Sequence, residues 1–185
     1  AFALTRYQFR GKRIIRMLIV CSLMFPSFST IVPVFKMVAG MRLINRPLGV
    51  ILPQIAGNLS FAIIIMMGFI DGIPRDLEES AFIEGCNAAQ IFGRIIMPLS
   101  KPSLATVGIF TFLWSYNDLF VQMIIIRDRT KYPVCALLNE ISSKYGTDFG
   151  LMASAVTLII MPVLIVYVFL QKNIIKGLTA GAVKG

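Results

Sequence analysis

The sequence is poor in charge and in the side chains that most soluble chemistry uses. Its 185 residues contain no histidine, one tryptophan, and only nine aspartates and glutamates. Charged residues make up 15% of the chain, whereas a soluble domain carries about a quarter. The three cysteines, Cys21, Cys86 and Cys135, are too far apart in sequence for a metal-type spacing and form no disulfide framework. No G-x4-G-K-[ST] run is present to cradle phosphates, so no nucleotide site is expected. These shortages exclude an ordinary water-soluble enzyme and a disordered tail. What is present is apolar: 57% of the residues, with a mean hydropathy of +0.79. The net charge of +9 would in isolation suggest nucleic acid. Beside this apolar excess it reads instead as the basic bias that orients a membrane protein, and no nucleic-acid partner is expected.

Four stretches are long enough for the roughly 20 apolar residues that cross a bilayer. They cover about 17–39, 48–70, 103–126 and 150–170. The fold expected is therefore all-α, a polytopic transmembrane helical bundle of four spans forming one domain over 1–185. A loop 71–102 and a tail 171–185 complete it. Only Lys36 and Asp118 place a charge within a span, and Lys36 lies near an end, where its stem reaches the interface. An even number of spans puts both termini on one side. Eleven basic residues fall on that side, among them Arg6, Arg16, Arg75, Arg94 and Lys101, against six on the other. The positive-inside rule then places the termini and the loop 71–102 in the cytoplasm. Pro26, Pro33, Pro53 and Pro162 interrupt spans and read as kinks. Gly146, Gly150 and Ser154, four apart, offer a surface that another helix can approach closely.

The loop between the second and third stretches is too long for a simple connection. Pro74 suits a first helical turn, and Asp76, Glu78 and Glu79 suit the positive end of a helix dipole. Gly85 is a helix stop. Asn87, with Gln90 three residues on, has the spacing of a capping box and so of a second helix start. Pro98 is expected to end that second helix. The loop reads as helix, glycine break, helix.

The same positions carry a family resemblance. Glu79-Ser80-Ala81, three residues, Gly85, nine residues, Ile95, one residue, Met97-Pro98 resembles the EAA loop of ABC importer permeases, E-A-A-x3-G-x9-I-x-L-P. Ser80 replaces an alanine and Met97 a leucine, without altering the spacing. The opening Ala1-Phe-Ala-Leu-Thr-Arg-Tyr-Gln-Phe-Arg-Gly-Lys12 and the closing Lys176-Gly-Leu-Thr-Ala-Gly-Ala-Val-Lys-Gly185 resemble the maltose-type, carbohydrate-importing branch. The resemblance implies a six-span subunit of which this chain is the C-terminal two-thirds, beginning inside the second span. It implies no cofactor and no catalysis on this chain. It also implies four partners besides the bilayer of the plasma membrane: a cytoplasmic ATPase subunit, a second permease subunit, an extracytoplasmic solute-binding protein and a sugar substrate. The loop would dock on the ATPase through Glu79, Ser80, Ala81, Phe82, Gly85, Phe92, Ile95, Met97 and Pro98. In that role the small Ser80 and Ala81 allow close approach, and Phe82 and Phe92 are buried anchors of the interface.

Asp118 stands in Trp114-Ser-Tyr-Asn-Asp-Leu-Phe120, and an ionised carboxylate inside a span costs about 2.5–3.5 kcal/mol on insertion scales. Two readings stand side by side. Trp114, Tyr116, Asn117 and Asp118 line a sugar pathway, or Asp118 pairs with a polar group of another helix and holds the bundle. A secondary transporter using Asp118 as an ion or proton site is the alternative function, but that class normally shows internal repeats, and none is evident. An intramembrane aspartyl hydrolase would need a second carboxylate within a span.

Overall fold

The computed structural model describes the backbone of residues 1–136 and 149–182, and of these the side chains other than Ser27 and 170–182. Most of the described residues are helical, and no strand is among them. Helices α1 (Phe2–Arg6), α2 (Lys12–Ser22), α3 (Ser27–Gly40) and α4 (Pro47–Asp71) are followed by the short α5 (Asp76–Ile83) and α6 (Ala88–Ile91). A π-helical turn (Phe92–Ile96), α7 (Met97–Leu99), α8 (Lys101–Asn117), α9 (Leu119–Ile125), a 3-10 turn (Arg129–Lys131) and the long α10 (Phe149–Ala182) complete the order.

Two of the four expected spans are single helices long and apolar enough to cross a membrane: Pro47–Asp71, and Phe149–Phe169 within α10. Pro53 and Pro162 sit inside them without ending them. The other two expected spans are divided. The stretch 17–39 falls into α2 and α3, separated at Leu23–Pro26, where Pro26 takes an extended conformation (φ −63°, ψ 129°). Proline removes a donor and disfavours helix in the residue before it, so the chain stops and restarts there. The stretch 103–126 breaks at Asp118 (φ −77°, ψ 77°) into α8 and α9. Pro98 marks the end of the second loop helix as expected: the helical turns stop at Leu99, one residue later, and the axis bends by 69° into α8. The π turn Phe92–Ile96 shortly before it has a wider winding that leaves room for the ring. Of the close-packing stripe, Gly146 lies outside the described residues, as do the side chains of the tail, while Gly150 and Ser154 are exposed.

The chain divides into two compact units. The first comprises residues 1–24, 59–110 and 170–185. Its core is Ile70, Ile73, Ala81, Ile91 and Ile96, with Phe2, Met66, Phe69, Cys86 and Ile95 packed against it. The second comprises 25–58 and 111–169, with a core of Val38, Ile125 and Ile126 under Val34, Leu43, Val50, Val121 and Tyr132. There the corner between α3 and α4 is tied to the end of α9. Asn45 donates its backbone N–H to the Ile125 carbonyl at 3.1 Å, and its Oδ1 accepts from the N–H groups of Arg127 and Asp128 at 2.6 and 3.0 Å. Gly49 packs so tightly under this corner that a Cβ would collide with the Leu43 carbonyl oxygen. Large apolar side chains remain exposed along α3, α4 and α10, among them Phe28 (67%), Leu158 (71%) and Phe169 (79%). Such faces suit a hydrocarbon solvent, which is as apolar as leucine.

Candidate functional sites: the helix-turn-helix loop and the polar break

In the first unit, the loop after α4 is built by two local devices. The first is the stop of α5. Gly85 has φ +88°, its N–H donates to the Phe82 carbonyl at 3.0 Å, and the Cys86 N–H donates to the Ala81 carbonyl at 3.0 Å. This is a Schellman closure, and it needs a left-handed residue at the glycine position. The second is the start of α6. Asn87 Oδ1 accepts from the Gln90 N–H at 2.9 Å, and Gln90 Oε1 accepts from the Asn87 N–H at 2.8 Å, a reciprocal capping box. Asp76, Glu78 and Glu79 occupy the first turn of α5, where the helix dipole favours negative charge.

The side chains of this loop sort into an inner and an outer face. Ala81 is buried (7% exposed) against Ile70, Ile73, Ile91 and Ile96. Its small size therefore serves packing within the loop, a correction to the expectation that a partner surface approaches it. Ile95 is partly buried on the same core. Phe92 packs against Phe2 with the rings tilted by 39° and their centroids 5.3 Å apart, so it is partly committed inside the chain. Facing outward are Phe82 (71% exposed) and Ile83 (86%), beside exposed Glu79, Ser80 and Glu84. Met97 and Pro98 are exposed further along.

An unforeseen ion pair anchors the loop. Arg6, at the C-terminal end of α1, places Nε 2.6 Å from Glu78 Oε1, with the two side chains 6% and 16% exposed. The contact is one of charge, since its geometry leaves both atoms without a well-aligned hydrogen bond. The Arg6 Nη2 group donates to the Ile73 carbonyl at 2.7 Å. Arg16 of α2 donates to the Leu4 carbonyl of α1 at 2.6 Å. Removing one partner of a buried pair costs about 3–5 kcal/mol, because the other charge is left uncompensated. From the sequence Arg6 is only one of the orienting charges; Glu78 lies 72 positions further on, and no spacing rule connects them.

In the second unit, the residues Trp114, Tyr116, Asn117 and Asp118 surround the helix break. Asp118 is the N-cap of α9: its Oδ1 accepts from the Val121 N–H at 3.3 Å. Its Oδ2 accepts from Gln54 Nε2 of α4 at 3.2 Å, and Ser115 Oγ donates to Gln54 Oε1 at 2.7 Å. Breaking a helix frees carbonyls, and inside a membrane these must find donors within the protein. Two of them do so here through side chains: Gln122 Nε2 donates to the Ser115 carbonyl at 2.6 Å and Cys135 Sγ to the Tyr116 carbonyl at 2.8 Å. Asn117 Nδ2 donates back one turn to the Leu113 carbonyl at 2.8 Å. The Tyr116 hydroxyl donates to the Ile159 carbonyl of α10 at 2.8 Å, one residue beyond the carbonyl that Pro162 leaves without its helical donor. Trp114 is 46% exposed. Burial raises the pKa of the Cys135 thiol. Beside the break lies an open cavity of about 340 Å³ lined by Phe112, Ser115, Tyr116, Gln122, Pro133, Val134 and Cys135. Of the four residues singled out from the sequence, Tyr116 alone lines it. Gln54, Ser115 and Gln122, which complete the polar network, are ordinary residues of apolar helices until the helices are brought together. Among the described residues no group of histidine, cysteine and acidic side chains is placed to hold a metal ion.

The chain belongs to the family of binding-protein-dependent transport system inner membrane components, whose model matches residues 1–180. It is 35% identical over 184 residues to the arabinooligosaccharides transport system permease protein AraQ of Bacillus subtilis, covering 100% of this chain and 65% of that protein. It is 34% identical over 186 residues to the galactooligosaccharides transport system permease protein GanQ of the same organism, covering 100% and 66%. In structure it resembles a chain of a bacterial ABC transporter involved in the import of the acidic polysaccharide alginate. That match has a TM-score of 0.78 at 25% identity, over 92% of this chain and 65% of the other. The chain thus spans about two thirds of the length of the curated relatives it matches.

Proposed function

We propose that the chain forms most of a permease subunit of an ATP-driven ABC importer for sugars or oligosaccharides. The reading assigns it a share of a gated pathway that works with a second permease subunit and an extracytoplasmic solute-binding protein. ATP hydrolysis belongs to a separate cytoplasmic subunit. The residues 74–98 dock on that ATPase and pass its closure to the spans, and both termini lie in the cytoplasm. The observation that carries this reading is the two-faced loop. Its inner side is locked to the chain's own core by Ala81, Ile91 and Ile96. Its outer side leaves Phe82 and Ile83 without a partner beside Glu79 and Ser80. Two large apolar side chains more than two-thirds exposed on a capped helix-turn-helix suit anchors for a protein cleft.

The test is detergent co-purification of the ATPase with the full-length subunit and its Phe82→Asp variant, at matched membrane abundance. Loss of the ATPase from the variant is expected, and retention at the unaltered level overturns the docking face. Asp118 as an ion or proton site is the less favoured reading, because each of its carboxylate oxygens already has a donor in Gln54 or Val121.

A further inference from the structure

We propose that Arg6 is the positioning residue through which movement of the loop reaches the helices beside it. The inference rests on the docking reading above and adds a route. Arg6 sits where three elements converge: at the end of α1, against the first turn of α5 through Glu78, and against the exit of α4 through the Ile73 carbonyl. Two independent contacts extend the same connection. Phe2 of α1 packs against Phe92 of the π turn, and Arg16 of α2 holds the Leu4 carbonyl of α1. The outward face of α5, with Phe82 and Ile83, contributes nothing to this cluster, so docking and linkage use opposite sides of one short helix. Isoleucine contacts alone would let α5 slide, since apolar packing has no direction. The hydrogen bond from Arg6 Nη2 to the Ile73 carbonyl is directional, and the charge attraction to Glu78 holds α5 to the same guanidinium, so the two together resist that sliding. A push on α5 is therefore delivered to α1 and to the exit of α4 together.

The experiment reconstitutes the full-length subunit with its partner permease, ATPase and binding protein, and measures sugar uptake per ATP hydrolysed alongside ATPase retention. Arg6→Met is expected to keep the ATPase bound and hydrolysing while uptake per ATP falls by about tenfold. The exchange of Arg6→Glu with Glu78→Arg is expected to recover part of that loss relative to either single change. A merely structural role would lower abundance and leave uptake per ATP unaltered. Should Arg6→Met fail to reach the membrane, Glu78→Gln, which keeps the side-chain shape, carries the same readout. Reduced uptake per ATP then supports the link, and an unaltered value overturns it. If Arg6→Met holds the ATPase and transports at the parental ratio, this inference alone falls. If Arg6→Met releases the ATPase, Arg6 shapes the docking face and transmission through it is refuted. If the parent subunit holds no ATPase at all, the docking reading falls and this one with it.

Discussion

Replacement of Gly85 isolates a backbone effect, because the structure removes the other terms. A Cβ built on Gly85 meets nothing within 4 Å, so no clash contributes. What remains is φ +88°, a left-handed conformation that costs an ordinary L-residue about 1–2 kcal/mol. Gly85→Asn is expected to cost least, since asparagine tolerates this region, followed by Gly85→Ala and then by the β-branched Gly85→Val. Gly93 is the internal control: it lies in the π turn, also with open space at its Cβ, but without a positive φ. Alanine there is expected to be neutral or to stabilise by about 0.5–1 kcal/mol. The bonds at stake are Gly85 N–H to Phe82 O and Cys86 N–H to Ala81 O. A cost of about 1.4 kcal/mol in local opening is a tenfold loss of amide protection when the loop opens independently of the spans. Hydrogen exchange of the amides between 81 and 91 in the purified full-length subunit reads this directly. Protection unaltered in Gly85→Val, or lowered more by Gly93→Ala than by Gly85→Ala, refutes the argument. Gly85→Pro is expected to go further and abolish uptake at normal membrane abundance, since proline fixes φ near −65° and removes the N–H that closes the turn.

Asp118→Asn keeps one oxygen to accept from the Val121 N–H and offers Gln54 an NH2 donor in place of the second oxygen, which the Gln54 amide meets by turning over to present its own oxygen, so uptake is expected to stay within about twofold, whereas Asp118→Ala loses the cap and strands Gln54 Nε2, costing about 2 kcal/mol of thermal stability; abolished uptake in Asp118→Asn would point back to an ion site. Glu79→Lys is expected to weaken ATPase co-purification more than Glu84→Lys, because Glu79 occupies the motif position and charge reversal there adds repulsion to a lost pair; equal retention refutes the assignment. Gly49→Ala is expected to lower the melting temperature of the detergent-purified subunit, because the added methyl meets the Leu43 carbonyl oxygen at the α3–α4 corner; an unaltered melting temperature shows that the corner relaxes without cost.

Much of the local architecture was legible in the residues. Asn87 and Gln90 at capping-box spacing, and Gly85 as a stop, specify helix, turn and helix whatever lies around them, because each device closes hydrogen bonds over three to five residues. The apolar runs of α4 and α10 likewise need only their own composition, since a helix satisfies its backbone internally. The limits lie where a local signal meets a competing demand. Pro26 caps the start of α3 while Pro98 stands one residue before a helix end; the residue type is the same, and its place in the chain of hydrogen bonds differs. Asp118 reads from the sequence as pathway or as structure, and that Gln54, 64 positions away, comes to 3.2 Å from its carboxylate is decided only by the tertiary structure. Ala81, small enough to suit an external contact, is turned inward by the helical phase that places it over Ile70 and Ile96. Arg6 and Glu78 are two ordinary surface charges in sequence. Only the tertiary structure takes both out of water and sets one against the other, since pairing over so many residues depends on where α1 and the end of α4 come to rest.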